Sequence, residues 1–293
     1  MITPGADVQA IRAYLAETSA DLAVYINTNQ HTYLDVYLGR MHALHAVGEA
    51  PVEVLKQAAK AARTYAENAS LYLAKLPAFK VRSRRILPLE LALIAGDGDT
   101  HDMLADVMGF DPMLLLAGTE PPDISAEVSE ITPWFRRRKV TDGGVLVGTL
   151  AVFIACAYAA VVREDTGQFE VAVGTMSMLA NDHWVMVRSP SPGVARVLAT
   201  VKAFDAIHRR DAEQLGAALA AHGRAHSVGY AHMASQEPKA AALGEGSLDT
   251  TSLALACIAE AFGIAPSDAL NAAPEETQTD LATLRRYADV MFS

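Results

Sequence analysis

The sequence predicts an all-α protein of antiparallel helical hairpins, packed as an irregular stack or a compact bundle, and three observations predict it. Of the 293 residues, 51% are hydrophobic and only 6% aromatic; alanine is abundant and Val/Ile/Thr runs of period two are nearly missing, which disfavours sheets. Apolar residues recur at helical spacing behind a series of aspartates. The polar turns between the helical stretches are too short for anything but antiparallel neighbours.

In chain order, helices are expected near Val8 to Ile26, Tyr33 to Ala46 and Pro51 to Leu76, with breaks at Asn27 to Asn29, at Gly48 and at Pro77. Pro51 suits a first helical turn, where its missing N–H has no partner to lose. Beyond these, Asp99, Asp165, Asp211 and Asp249 are each followed four residues on by Met103, Phe169, Leu215 or Leu253, and eight residues on by Val107, Val173, Leu219 or Cys257. That spacing is one helical face. Asp102, Gln168 and Gln214 stand three residues after the first three aspartates, close to a capping box, so each aspartate reads as a helix start.

Apolar stretches precede three of these starts: Leu87 to Ala95, Val145 to Val162 and Val197 to Ile207. The turns Gly96 to Gly98, Arg163 to Glu164 and Arg209 to Arg210 convert them into hairpins. The intervals between the aspartates are irregular, so no repeat of fixed period fits. Helix stops are expected at Gly109, Asn181, Gly223 and Gly263. Gly118 to Pro122, Ser189 to Gly193 and Glu237 to Gly246 read as loops, and a last helix is expected over Thr277 to Met291, opened by Thr277. The whole chain, 1–293, reads as one all-helical domain, with 118–133 as the one candidate point of subdivision.

The net charge of −10 argues against a broad cationic surface for nucleic acid, despite basic clusters at Lys80, Arg82, Arg84, Arg85 and at Arg136 to Lys139. An acidic face suits a basic protein partner or is simply a solvated surface. Cys156 and Cys257 sit in apolar helical stretches and read as inert core thiols in a reducing compartment. Met1 to Arg12 carries Pro4, Gly5 and Asp7 where a signal peptide needs a basic start and an apolar run, so the cytoplasm is expected. Gly143 to Val162 is uncharged and long enough to span a bilayer; its many Gly and Ala residues fit a buried central helix equally well, and that reading is preferred over a membrane location.

The motif search yields no catalytic or cofactor constellation. Asp97 to Asp102 resembles a calcium loop only superficially, having Asp102 where the loop needs glycine and Met108 where it needs a bidentate glutamate. His222 and His226 have the spacing of a helical metal pair, but Gly223 lies between them and no glutamate follows His222, so core-edge or exposed histidines are the preferred reading. Gly244 to Gly246 starts like a dinucleotide fingerprint without a preceding strand, and Asp249 stands at the third glycine position. No catalytic residue, cofactor or metal is therefore expected. The partner-binding candidates are Asp97, Asp99, Glu164 and Asp165, which would form an acidic edge at the hairpin turns.

From Leu198 onward, Ala206 to Asp211 with Leu215, Ser247 and Leu248, Leu253 to Ala259 and Phe262 to Ile264 resemble the C-terminal part of the immunity protein 49 family of bacterial polymorphic toxin systems. Leu91 to Val107 is similar to an earlier hairpin of that family. The chain departs from the family after Gly263, where Ala265, Pro266, Ser267 and Asp268 replace an acidic, tyrosine-containing tail. The resemblance implies a helical protein that neutralises a cognate toxin by binding it, with no catalysis of its own. The alternatives are a helical scaffold or adaptor, and an enzyme that assembles distant residues such as His101, His183 or His222.

Overall fold

The computed structural model describes residues 2–25, 31–74, 78–107, 143–184, 191–273 and 275–292. Among them there are thirteen α-helices and no strand, as the composition predicts. These are α1 (Val8–Tyr25), α2 (His31–Ala46), α3 (Pro51–Ala74), α4 (Ala78–Ala95), α5 (Gly98–Val107), α6 (Gly143–Val162) and α7 (Thr166–Trp184). They continue with α8 (Pro192–Arg209), α9 (Ala212–Gln236), α10 (Pro238–Ala242), α11 (Thr250–Ala261), α12 (Pro266–Ala272) and α13 (Ala282–Met291). A 3₁₀ turn, Glu275–Leu281, precedes α13.

Sequential helices pair closely at α2/α3, α3/α4, α6/α7 and α8/α9. The expected hairpin of α4 with α5 is a correction: α5 packs more on α3 than on α4. Helix α4 also starts well before Leu87 and runs through Pro88. At the centre, α4 packs on α6 and α11, while α8 packs on the same two helices and closes the ring. Tyr158 and Phe204 meet edge to face there with centroids 5.2 Å apart, and Phe169 lies against both Phe204 and Phe262. One contiguous buried core extends from Leu34 to Tyr287. Helix α1 rests on α2 through a smaller cluster of Ile11, Ala43 and Ala46.

The described part of the uncharged helix, Leu150–Val162, is buried almost throughout by these neighbours. No single helix among the described residues is long and apolar enough to cross a membrane. Cys156 is buried, and burial pushes the Cys257 thiol up to about 12, which suppresses the nucleophilic thiolate.

Two turns share one construction. Ala160 and Val161 accept from Asp165 N and Glu164 N; Ala206 and Ile207 accept from Asp211 N and Arg210 N. Each is a Schellman closure with a left-handed residue, Glu164 (φ 56°) or Arg210 (φ 57°), followed at once by the aspartate that caps the next helix. Gln168 N and Gln214 N donate to Asp165 and Asp211 Oδ1 at 2.9 Å.

Four expected boundaries fall elsewhere. Asp97, not Asp99, caps α5: Thr100 donates to it from N at 3.3 Å and from Oγ1 at 2.9 Å. The residue before it, Gly96, has φ +63°; the apolar spacing points to Asp99, because His101 stands four residues after Asp97. Gly223 and Asn181 end nothing, because α9 and α7 run through them. Gly223 is instead where α9 meets the 3₁₀ turn: a Cβ there would overlap the Asp280 carbonyl oxygen. Thr277 lies inside the 3₁₀ turn and does not open α13. The stop at Gly263 holds, with φ +82°. Gly109, 118–133 and the cluster Arg136 to Lys139 lie outside the described residues, as does Pro77.

Candidate functional site

The four acidic candidates divide by what their carboxylates do. Asp97 and Asp165 are occupied as N-caps, and the Thr100 hydroxyl holds the Asp97 carboxyl below its ordinary value. Asp99 and Glu164 are exposed with no capping role: Asp99 lies in the first turn of α5, and Glu164 occupies the left-handed position after α6. Among the candidates, these two have no ion-pair partner among the described residues, and they stand at turns whose backbone is pinned on both sides. His101, raised as a chemical candidate, lies 2.7 Å from the Ala92 carbonyl through Nε2 and so donates back to α4.

Within the core lies a polar cluster that the sequence reading did not assemble. The N-terminus of α11 is buried, so its free N–H groups cannot reach water. Asp249 caps it, accepting from Ser252 N at 3.3 Å and from Ser252 Oγ at 2.7 Å. His222 of α9 places Nδ1 3.0 Å from Asp249 Oδ2, and the two side chains are only 1% and 3% exposed. Burial acts to raise the Asp249 carboxyl, but the charge and hydrogen bond of His222 prevail and hold it far below its ordinary value. The reading of His222 as exposed or at the core edge is thus corrected. It is a deep cross-helix partner of a helix cap, and the informative residue, Asp249, stands far from it in sequence.

Ser252, His222 and Asp249 do not form a nucleophilic triad. Ser252 Oγ lies 3.1 Å from His222 Nδ1, the same nitrogen that faces the carboxylate, and it donates its own proton to Asp249. A triad needs the hydroxyl at the opposite ring nitrogen.

At the first two residues of α11, a second carboxylate enters from α4. Glu90 accepts from Thr250 Oγ1 and Thr251 Oγ1, both at 2.7 Å, and from Tyr158 Oη at 3.3 Å. Burial raises its carboxyl above the ordinary range, and the hydroxyls of Thr251 and Thr250 partly oppose that. Burial, reinforced by Glu90, also pushes the Tyr158 phenol well up. A sequence signal existed: Glu90 is the one charge within Leu87 to Ala95.

The loop from Gly244 to Asp249 lies between this core and an open cleft. Gly244, at φ +77°, closes a Schellman turn after α10 and sits so near α2 that a Cβ would overlap that of Ala46. Leu248 N donates to His42 Nδ1 at 3.3 Å, and Ser247 Oγ donates to the His42 carbonyl. On the outer side, Tyr14, Asp35, His42 and Glu245 line a cleft of about 500 Å³ over an apolar floor that includes Leu38 and Leu87. Burial first, then His226, lowers the His42 imidazole to about 4. It is therefore neutral at pH 7, accepts at Nδ1 and carries its proton on Nε2.

A second groove, of about 520 Å³, runs between α7, α8 and α9 and is lined chiefly by small apolar residues such as Ala180, Ala199 and Ala218. No three His, Cys, Asp or Glu side chains converge as metal ligands among the described residues. No family model, curated protein or solved structure matches the chain.

Proposed function

We propose that the chain is an immunity protein that neutralises a cognate bacterial toxin in the cytoplasm by direct protein–protein binding, without catalysis, cofactor or nucleic acid. The observation that carries this reading is the pair of exposed acids, Asp99 and Glu164, on turns fixed by helix caps in a chain of net charge −10. Rigid, uncompensated charge steers a basic partner into register and raises the association rate. The titratable groups that would otherwise suggest chemistry, His222, Asp249 and Glu90, are spent on holding α4, α9 and α11 together.

The residues that carry the resemblance to the immunity protein 49 family are mostly internal: Ile207, Leu215, Leu253 and Ile258 are fully buried. They support a shared helical framework, so partner choice falls to the turns. Co-expression with the toxin encoded beside this gene tests the proposal. The expected result is cell survival and a co-purifying complex; survival lost with no complex would refute it. Reversing Asp99 and Glu164 to Lys is expected to slow association about tenfold at low salt and less at high salt. Asp97 and Asp165 are unsuitable for that test, since their loss uncaps helices.

A further inference from the structure

Tyr14 packs beside the Ile11, Ala43 and Ala46 cluster that seats α1 on α2, and the cleft between α1, α2 and the Gly244–Asp249 loop has polar features that toxin binding does not require. Gly39 lies inside α2, where glycine costs about 1 kcal/mol relative to alanine. A Cβ at that position would fall on the Tyr14 hydroxyl. The helix thus carries a destabilising residue at the one place that lets a phenol lie against its backbone. Tyr14 Oη has no hydrogen-bond partner among the described residues, and it faces the cleft. Burial raises its phenol, the Arg40 charge opposing this and Glu245 and Asp35 adding to it, so Tyr14 stays protonated as a donor.

His42 supplies a second donor. Its Nδ1 is occupied by Leu248 N, which leaves Nε2–H as the free edge of a largely buried ring that lines the same cleft. Asp35 and Glu245 are exposed at the rim. The nearby cation, Arg40, donates its Nη1 to the Leu15 carbonyl and to Thr18 Oγ1, both at 2.7 Å, and is committed to α1. Two rim carboxylates therefore face one committed guanidinium. Leu38, Leu87 and Leu243 form an apolar floor.

We infer that this cleft is a binding site for a small aliphatic amine that also bears a hydroxyl-type oxygen: the ammonium pairs with Asp35 and Glu245, the chain lies on the leucine floor, and the oxygen accepts from His42 Nε2–H and Tyr14 Oη. A concave, mostly apolar site with a few convergent polar groups is the usual architecture for such ligands. An anion is repelled at the rim, and a neutral diol loses the charge-assisted bonds.

Isothermal titration of the full chain with aminohexanol, hexanediol and hydroxyhexanoate tests the inference. Aminohexanol is expected to bind at least about tenfold more tightly than hexanediol, with hydroxyhexanoate weaker still. Glu245→Gln, at an exposed position, is expected to remove most of that preference while leaving thermal unfolding unchanged. Gly39→Ala, which displaces the Tyr14 hydroxyl, is expected to weaken aminohexanol and hexanediol alike. Equal binding of all three probes, no binding of aminohexanol at millimolar concentration, or a preference that survives Glu245→Gln would each overturn the inference. None of these outcomes bears on toxin neutralisation, which is read by complex formation.

Discussion

The N-termini of α9 and α11 begin with the same device in different surroundings. Asp211 and Asp249 each accept from the backbone N–H three residues on, at 2.9 and 3.3 Å. Asp211 does so at a turn open to solvent, where water can satisfy whatever the cap does not. Asp249 is 2% exposed, so each remaining polar group had to find a protein partner: His222 for the carboxylate, and Glu90 for the hydroxyls of Thr250 and Thr251. A cap worth about 1 kcal/mol at the surface thus becomes in the core the node that ties α4, α9 and α11. Burial, not the capping residue, sets the scale.

That contrast breaks first at Glu90 and Asp249. Glu90→Ala strands the buried hydroxyls of Thr250 and Tyr158 and the half-buried one of Thr251, and Asp249→Ala leaves His222 facing an empty cap; each is expected to cost about 3–5 kcal/mol, read from urea unfolding. Asp211→Ala should cost only about 1 kcal/mol by the same measurement. Equal losses at Asp211 and Asp249 would show that the buried network adds nothing to the cap.

A similar comparison separates two helical glycines. Gly223→Ala drives a methyl into the Asp280 carbonyl, a backbone group that cannot swing aside, and is expected to cost about 2–3 kcal/mol. Gly174→Ala on the exposed face of α7 meets nothing within 4 Å and should stabilise by about 0.5–1 kcal/mol. Stabilisation at Gly223 would mean that the 3₁₀ turn is not held against α9.

The same division governs what the sequence revealed. Helix periods, the Asp165 and Asp211 starts and the stop at Gly263 depend on residues within one turn of each other, and they were legible. The Asp97/Asp99 displacement arises because the apolar spacing favours Asp99, whereas the N–H and the hydroxyl of Thr100 both select Asp97. Gly223 has the local form of a helix stop, whereas its actual reason, the Asp280 carbonyl, comes from a distant segment. Asp249 was legible as a helix start, yet its pairing with His222 across α9 has no local signature. The clue at Glu90, an acid inside an apolar helix, was present but needs its three hydroxyl partners to acquire meaning.

Acid should sharpen the contrast between interior and turn. Burial, then neighbouring His226, lowers His42 to about 4; burial, then Arg286, lowers His45 to about 3, both from 6.5. Below pH 6.5 the unfolded chain takes up protons that the folded chain refuses, so acid favours unfolding. Stability is full above about pH 6.5 and falls towards pH 4, by about 2 kcal/mol per histidine at pH 5. Glu90 has the opposite sign, its raised carboxyl favouring the folded state below the ordinary carboxylate range and losing that effect as pH rises through its folded value. His42→Asn keeps an acceptor for Leu248 N–H and removes the titration. Its unfolding midpoint should vary less between pH 7 and 5 than that of the parent chain; an unchanged pH slope would remove His42 from the account.

The smallest expected effect lies at the turns themselves. Arg210 and Glu164 hold left-handed backbone at φ 57° and 56°, a conformation that disfavours any side chain with a Cβ. Gly96, Gly244 and Gly263 occupy the equivalent region without that strain. Nothing in the packing explains the choice of Arg at 210: it is exposed, and its backbone N–H makes the turn's bond to Ile207 whatever the side chain. Arg210→Gly relieves the strain but enlarges the entropy of the unfolded chain, so the net gain should be about 0.5–1 kcal/mol in denaturant unfolding. Glu164→Gly should gain a similar amount while removing one of the two exposed acids offered to a basic partner. A turn that becomes more stable as toxin association slows would separate the residue's effect on the fold from its effect on binding; unchanged association would remove Glu164 from the binding surface.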